Sequence, residues 1–222
     1  MSHAAQEDLG MGLPYARGAA PPAVTADGST FSVHPVHDPR RRAVEEFIAR
    51  VYARHYGATV THFAPVLVSL RDPDGGIAAA AGYRGAGAER LFLERYLEAP
   101  VEAVLGAHAR RAPARSEVVE IGHLAAGRAG AGRSLMFALG PHLAQENFRW
   151  AVATLTQELR LLMSRMGITP LALGSADPAR LGEDAALWGS YYDHAPLVLA
   201  GELQPALRRL ARRGASAGSE PA

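Results

Sequence analysis

The stretch EVVEIGHLAAGRAGAGRSLMFAL, residues 117 to 139, carries the reading of the fold. Glu117 to Leu124 alternates enough to be a strand, Gly127 to Gly132 is a glycine-rich turn, and Arg133 to Gln145 has helical spacing. A strand that runs through a bare turn into a helix gathers unpaired backbone N–H groups and the positive helix end at one spot. That spot suits an anion such as a pyrophosphate, and glycine lets the phosphate approach the backbone. Arg128, Ala129, Gly130, Ala131, Gly132 and Arg133 are therefore the candidate anion-holding residues, with the two guanidinium groups adding charge-assisted contacts. The turn does not complete a GxGxxG dinucleotide fingerprint, because position 135 is Leu.

Working outward, Phe148 to Thr156 reads as a strand, Glu158 to Met166 as a helix ended by Gly167, and Leu171 to Leu173 as a short strand. Helical crossovers of this kind join parallel strands. Toward the N-terminus, Phe31, Val33 and Val36 begin a strand, and Asp38-Pro39 stand where an N-cap and first helical residue belong. Val44, Phe47, Ile48, Val51 and Tyr52 fall on one helical face, and Gly57 ends that helix. Ala64 to Leu70 and Ile77 to Tyr83 form a hairpin about the turn Asp72-Pro73-Asp74-Gly75-Gly76. Leu91 to Leu97 is apolar enough to pack, and Ala99 to Ala109 reads as a helix opened by Pro100. Gly140-Pro141 predicts a kink or break in the helix 133 to 145. The expected architecture is one α/β (α+β) domain, a mixed and mostly antiparallel twisted sheet with helices on both faces. Its boundaries are a flexible arm over 1–28, a folded domain over 29–212 and a flexible tail over 213–222.

The 222-residue chain has 23 basic and 22 acidic residues and a net charge of +1, which gives no global field to hold nucleic acid. The short arginine runs Arg40 to Arg42 and Arg208 to Arg213 read as solvated surface. Every basic residue is arginine, so Schiff-base chemistry and a phosphate-binding P-loop lysine are excluded. With no cysteine there is no disulfide, thiolate metal site or thiol nucleophile. The nine histidines are scattered without metal-ligand spacing, so no metal is expected. No apolar run is long enough to cross a membrane, and the N-terminus lacks a basic region followed by an apolar one; a cytoplasmic location is the expectation.

Gly127-Arg128-Ala129-Gly130-Ala131-Gly132 resembles the Q/R-x-x-G-x-G/A turn of GNAT-type acyltransferases, with Gly127 in place of the family's Gln or Arg. FRWAVATLT and ELRLLMSRMGI are similar to the strand and helix that close that fold, with Met163 where the family often places a tyrosine acid. A broader resemblance is to the thermostable hemolysin family. It is carried by residues 62 to 84 (HFAPVLVSLRDPDGGIAAAAGYR), 91 to 102 (LFLERYLEAPVE), 117 to 125 (EVVEIGHLA) and 187 to 203 (LWGSYYDHAPLVLAGEL). That family is similar in fold to the GNAT and acyl-homoserine-lactone (autoinducer) synthase group. The resemblance implies an acyl-CoA or phosphopantetheine-linked (acyl-carrier-protein) donor as co-substrate, with no permanently bound cofactor. The acceptor it implies is a small-molecule amine. It leaves open a membrane-active or lipid-binding protein, for which the one basic apolar helix, near Leu203 to Leu210, reads as short and weakly amphipathic. It also leaves open a binding domain without turnover.

Acyl transfer to an amine needs a base and a device that orients the thioester. Glu120, a carboxylate among Val118, Val119 and Ile121, is the leading base or ammonium anchor; its structural alternative is a solvent-facing or Arg-paired residue. His123 is the second candidate base. Glu94 in LFLERYL is a candidate for holding the amine, against a salt bridge to Arg84, Arg90 or Arg95. Trp188, Tyr191, Tyr192 and Asp193 are candidates for the acceptor end, against aromatic packing under a loop. Ser134 forms no nucleophile motif and reads as a residue that caps or faces the helix start.

Overall fold

The computed structural model describes residues 23–25 and 28–217, with side chains through 212. Eight strands form one sheet in the order β1-β2-β3-β4-β5-β6-β8-β7. They are β1 (Ala23–Val24), β2 (Thr30–Pro35), β3 (Val66–Arg71), β4 (Ile77–Gly85), β5 (Val118–Ala126), β6 (Trp150–Leu155), β7 (Leu171–Ser175) and β8 (Leu197–Glu202). Only β5 and β6 pair in parallel; the other pairs are antiparallel. The helices are α1 (Arg41–Tyr56), α2 (Val101–Gly106), α3 (Ala131–Gln145), α4 (Gln157–Arg165) and α5 (Leu203–Ala217). 3-10 segments cover Phe92–Tyr96 and Pro178–His194, the second interrupted by non-helical glycines at 182 and 189.

Helices lie on both faces of the sheet. On one, Leu135, Leu139 and Leu143 of α3 pack against Val68, Leu70, Ala79 and Ala81. On the other, α1 buries Val44, Phe47, Ile48 and Tyr52 against Leu67, Ala80 and Ala125, while Leu93, Val101 and Leu105 cover Val118, Trp150 and Val152. Fully removing such Leu, Val and Ile side chains from water stabilises by about 1.5–3 kcal/mol each. The central strands are covered twice, so β5 is buried at four successive positions instead of alternating.

Several expectations are corrected. The crossover through α4 does not set β7 beside β6, because β8 lies between them and is antiparallel to both. Helix α1 starts at Arg41; Asp38 instead takes the Arg40 N–H on its carboxylate at 2.7 Å. Arg41 of the arginine run is buried, not solvated, donating to Glu45 and to the carbonyls of His34, Ala64 and Pro65. The second helix is the six-residue α2. Helix α3 runs unbroken through Pro141, with Leu207 of α5 lying over Gly140, so packing holds it together across the lost hydrogen bond. Ser134 stands one turn inside α3, its N–H donating to Gly130, so Gly130 and not Ser134 is the cap.

The terminal expectations also shift. Strand β1 falls within the arm expected over 1–28, and α5 reaches Ala217, past the expected start of the tail; residues 1–22, 26, 27 and 218–222 lie outside the described residues. Helix α5 is longer and more strongly amphipathic than its sequence reading, and its Leu203 and Leu210 are buried in the fold. No helix among the described residues is long and apolar enough to cross a membrane.

Two predictions follow from this packing. Burial lowers the pKa of His34, His142 and His123, the last to about 4, so the folded state keeps these rings neutral while the unfolded chain protonates them near the usual 6.5. Their contribution to stability is complete above 6.5 and is lost as pH falls toward 4. Thermal unfolding across that window will show Tm falling, with a shallower slope in His142→Gln. At Gly189 a Cβ would overlap the Tyr56 carbonyl oxygen on a left-handed backbone of φ 53°. Gly189→Ala will cost about 3 kcal/mol, or roughly 6–12 °C in Tm.

Candidate active site

The centre of the site is a fork in the sheet. The parallel ladder of β5 and β6 runs from Val118–Trp150 to Ile121–Ala153 and stops there, although β5 continues to Ala126 and β6 to Leu155. The cause lies in the pairing of β5 with β4. Register shifts between Ala80 and Gly82, and His123 takes a positive φ of 53°. A bulge of this kind bends its strand, and here it turns β5 away from β6. Into the fork opens a cavity of about 380 Å³, lined by Ile121 to Leu124 of β5, Thr154 of β6 and Leu159 of α4.

Glu120 stands on the wall of this cavity, 6% exposed. One carboxylate oxygen accepts the Phe92 N–H at 2.7 Å and the other the Leu93 N–H at 2.9 Å, at the start of the 3-10 turn that follows β4. Arg84, its cross-strand partner on β4, approaches to 3.5 Å. Burial pushes the Glu120 carboxyl above its usual value, against the pull of the Arg84 charge and the two amides. The result is a sheltered carboxylate with a raised proton affinity and lone pairs left over.

Aromatic rings form the far wall. Trp188 packs on Tyr191 at 5.3 Å and on Phe92 at 5.6 Å, and Tyr191 on Tyr56 at 5.2 Å. Tyr96 and Tyr192 share a hydroxyl hydrogen bond of 2.6 Å. Tyr191 donates its hydroxyl to the Thr154 carbonyl at 3.1 Å, one residue past the end of the ladder, and burial raises its pKa well above the usual value. At the rim, Arg95 lies over Phe92 and reaches Asp184 at 3.2 Å.

The glycine loop leaves the end of β5. Residues 127–130 are exposed, and Gly130 has φ 82°, the left-handed conformation that turns the chain into α3. The Gly127 N–H donates to Ala78 and the Ala131 N–H to Arg128. Among the described residues no backbone acceptor meets the first-turn N–H groups of Gly132 and Arg133. The Arg133 guanidinium lies 5.4 Å over the Phe137 ring. None of Arg128 to Arg133 lines the cavity, which ends at Leu124 on the same strand.

The structure thus brings Glu120, His123, Trp188, Tyr191 and Tyr192 to one cavity, and places Glu94 and Asp193 elsewhere. Glu94 is buried beneath the neighbouring turn. Arg115, not Arg84, Arg90 or Arg95, holds it bidentately at 2.7 and 2.9 Å, and the Leu91 and Val101 N–H groups complete its shell. Although burial opposes ionisation, these donors keep its carboxyl at about 2. Asp193 is exposed and off the cavity wall. His123 donates through Nε2–H to the His62 carbonyl at 3.1 Å, which leaves Nδ1 unprotonated and buried beside Gly82. Met163 is a core residue of α4.

Cavity residues that the sequence did not single out for the site are Arg84, Arg95, Asp184, Tyr52, Tyr56 and Tyr96. Tyr52 with Tyr56, and Phe92 with Tyr96, recur at a spacing of four, a signal that reads equally as packing.

No curated protein matches the chain. Among solved structures, TofI in a ternary complex with an inhibitor and MTA superposes with a TM-score of 0.55 at 17% identity, covering 80% of this chain and 96% of that one. The AHL synthase LasI gives 0.55 at 15% identity, covering 81% and 94%. FeeM, an N-acyl amino acid synthase from uncultured soil microbes, gives 0.54 at 12% identity, covering 82% and 95%. These likenesses are of fold. The family model described as thermostable hemolysin matches residues 34–207. The chain is therefore a member of the thermostable hemolysin family, built on the GNAT-like fold of the acyl-homoserine lactone synthases.

Proposed function

We propose that the protein is an N-acyltransferase that moves an acyl chain from a CoA or acyl-carrier-protein thioester to the amine of a small molecule. The observation that carries this reading is the fork: two parallel strands separate at Ile121 and Ala153 around a cavity whose wall holds the buried Glu120. A thioester lying between the separated strands meets backbone groups of β5 that β6 no longer pairs. The AHL synthase and the N-acyl amino acid synthase among the structural neighbours support the same class.

In this reading the donor's phosphates sit on the loop from Arg128 to Arg133, where Gly130 makes the turn and the Gly132 and Arg133 amides lie in the first helical turn. The acyl chain passes to the other side of the sheet. There a second cavity of about 100 Å³ is lined by Met136, Leu139, Leu143, Leu155, Met163 and Leu207, and it shares Ile121 and Leu124 with the first. An apolar channel there favours a chain longer than acetyl.

The acceptor enters as an ammonium, and Glu120 takes its proton. The free amine attacks the thioester carbonyl carbon, the C–N bond forms, the C–S bond breaks, and the proton that the new amide nitrogen sheds replaces the one the thiolate takes from Tyr191. Tyr191, kept protonated by burial and held at the fork by Thr154, supplies the proton to the departing thiolate. It fills the role that Met163 leaves vacant. His123, neutral near pH 7 because burial holds it at about 4, shapes the bulge. Glu94 braces the turn that donates to Glu120.

Release of free thiol from acyl-CoA or acyl-carrier-protein donors mixed with amine acceptors tests the reading; absence of thiol release with every donor overturns it. Glu120→Gln will lower kcat/KM by about 100-fold or more while donor binding persists. The wild-type rate will rise with pH through a limb lying above the usual carboxylate value of 4.5, and the variant will lack that limb. Gly130→Val has open space for its side chain but a left-handed backbone. It will lose about 1–2 kcal/mol of stability and weaken donor binding about tenfold in a thermal-shift titration.

A further inference from the structure

We infer that the acceptor is an α-amino acid with an apolar or aromatic side chain, and that Arg84 selects it by binding its carboxylate. The inference rests on the acyl-transfer reading and names the acceptor class for the same cavity.

Arg84 is unlike the other sheltered arginines. Arg41 makes hydrogen bonds to Glu45 and three carbonyls, and Arg115 grips Glu94 and Glu102 at 2.7 Å. The Arg84 side chain is only 19% exposed, yet its nearest carboxylate oxygens stand 3.5 Å away on Glu120 and 3.8 Å away on Glu89. Charge-assisted hydrogen bonds close to about 2.7–2.9 Å. Both Glu120 oxygens have closer donors in the Phe92 and Leu93 N–H groups, so Arg84 acts on Glu120 through its charge and not through a hydrogen bond. Among the described residues the Arg84 guanidinium makes these two long ion pairs and no hydrogen bond, and it lies on the cavity wall. A sheltered guanidinium with five donors in a planar fork and no acceptor closer than 3.5 Å is matched to a planar anion that arrives with the substrate.

The register narrows the class. Arg84 and Glu120 are direct partners across β4 and β5, so a cation and an anion stand side by side on one wall. The complement is a molecule with an anion and a cation equally close together. An α-amino acid carries its carboxylate and its ammonium on the same carbon, the first facing Arg84 and the second Glu120. The side chain then points toward Phe92, Tyr96, Trp188 and Tyr192, which favour apolar or aromatic groups. Arg95 does not duplicate the role, since Asp184 and the Phe92 ring already engage it.

The test is binding of the full chain to L-phenylalanine, L-leucine and L-methionine, each against the amine that lacks its carboxylate, such as 2-phenylethylamine, by calorimetric titration. Thiol release from acyl donors is measured in parallel. The expected result is at least tenfold tighter binding of one or more amino acids than of the matched amine. In Arg84→Met that ratio collapses to near one, and Arg84→Lys restores part of it, with circular dichroism verifying that both variants fold. Saturable binding by none of the amino acids, or an unchanged ratio in folded Arg84→Met, overturns the inference. If thiol is released with amines irrespective of a carboxylate, the acceptor class falls and acyl transfer stands. If carboxylate-dependent binding through Arg84 is found without thiol release, acyl transfer falls and the binding assignment stands.

Discussion

The structure depends on one buried carboxylate that takes two backbone N–H groups. Glu120 joins the middle of β5 to the turn Phe92–Tyr96, a segment that otherwise reaches the sheet only through apolar contacts. Removing an ionised group from water is costly unless donors surround it. The Phe92 and Leu93 amides meet that requirement, and the Arg84 charge stands 3.5 Å away. Glu94, two residues on, is held in turn by Arg115 and fixes the same segment against α2. The two carboxylates divide the work: Glu94 is enclosed by donors and strongly acidic, while Glu120 faces a cavity and has its pKa raised.

The second constraint is geometric. Parallel strands that stay paired leave no room between them, so a cleft in the middle of a sheet needs a cause. Here it is the β5 bulge, paid for with the strained backbone of His123 and stabilised by its Nε2–H bond to His62 and its ring contact with Phe63. The fork opens to cavities on both faces, one polar and aromatic, the other almost wholly apolar, and Ile121 and Leu124 line both.

Much of this was legible in the chain. The hairpin about residues 72–76, the face of α1, the strand–turn–helix of residues 117–139 and the helix ended by Gly167 all follow from local periodicity and turn chemistry. So did the choice of Glu120 as a carboxylate in apolar company. What was not legible involved partners distant in sequence. Arg41 reads as surface because it sits in RRR, and only the carbonyls of His34, Ala64 and Pro65 make it a buried clasp. Glu94 had three nearby arginines to choose from and bonds to a fourth, Arg115, on another element.

By itself the sequence determined most of the strands and helices from β2 to β7, though not β1, β8 or the 3-10 segment Pro178–His194, because that choice rests on side-chain spacing and backbone preference within a few residues. It also determined that a carboxylate and a glycine-rich turn occupy one continuous strand-to-helix segment. Only the tertiary structure decided that β8 enters between β6 and β7, that the β5–β6 ladder ends at Ile121, and which aromatic rings close the cavity. Those outcomes are set by pairing and packing between residues tens of positions apart, which local propensity does not encode.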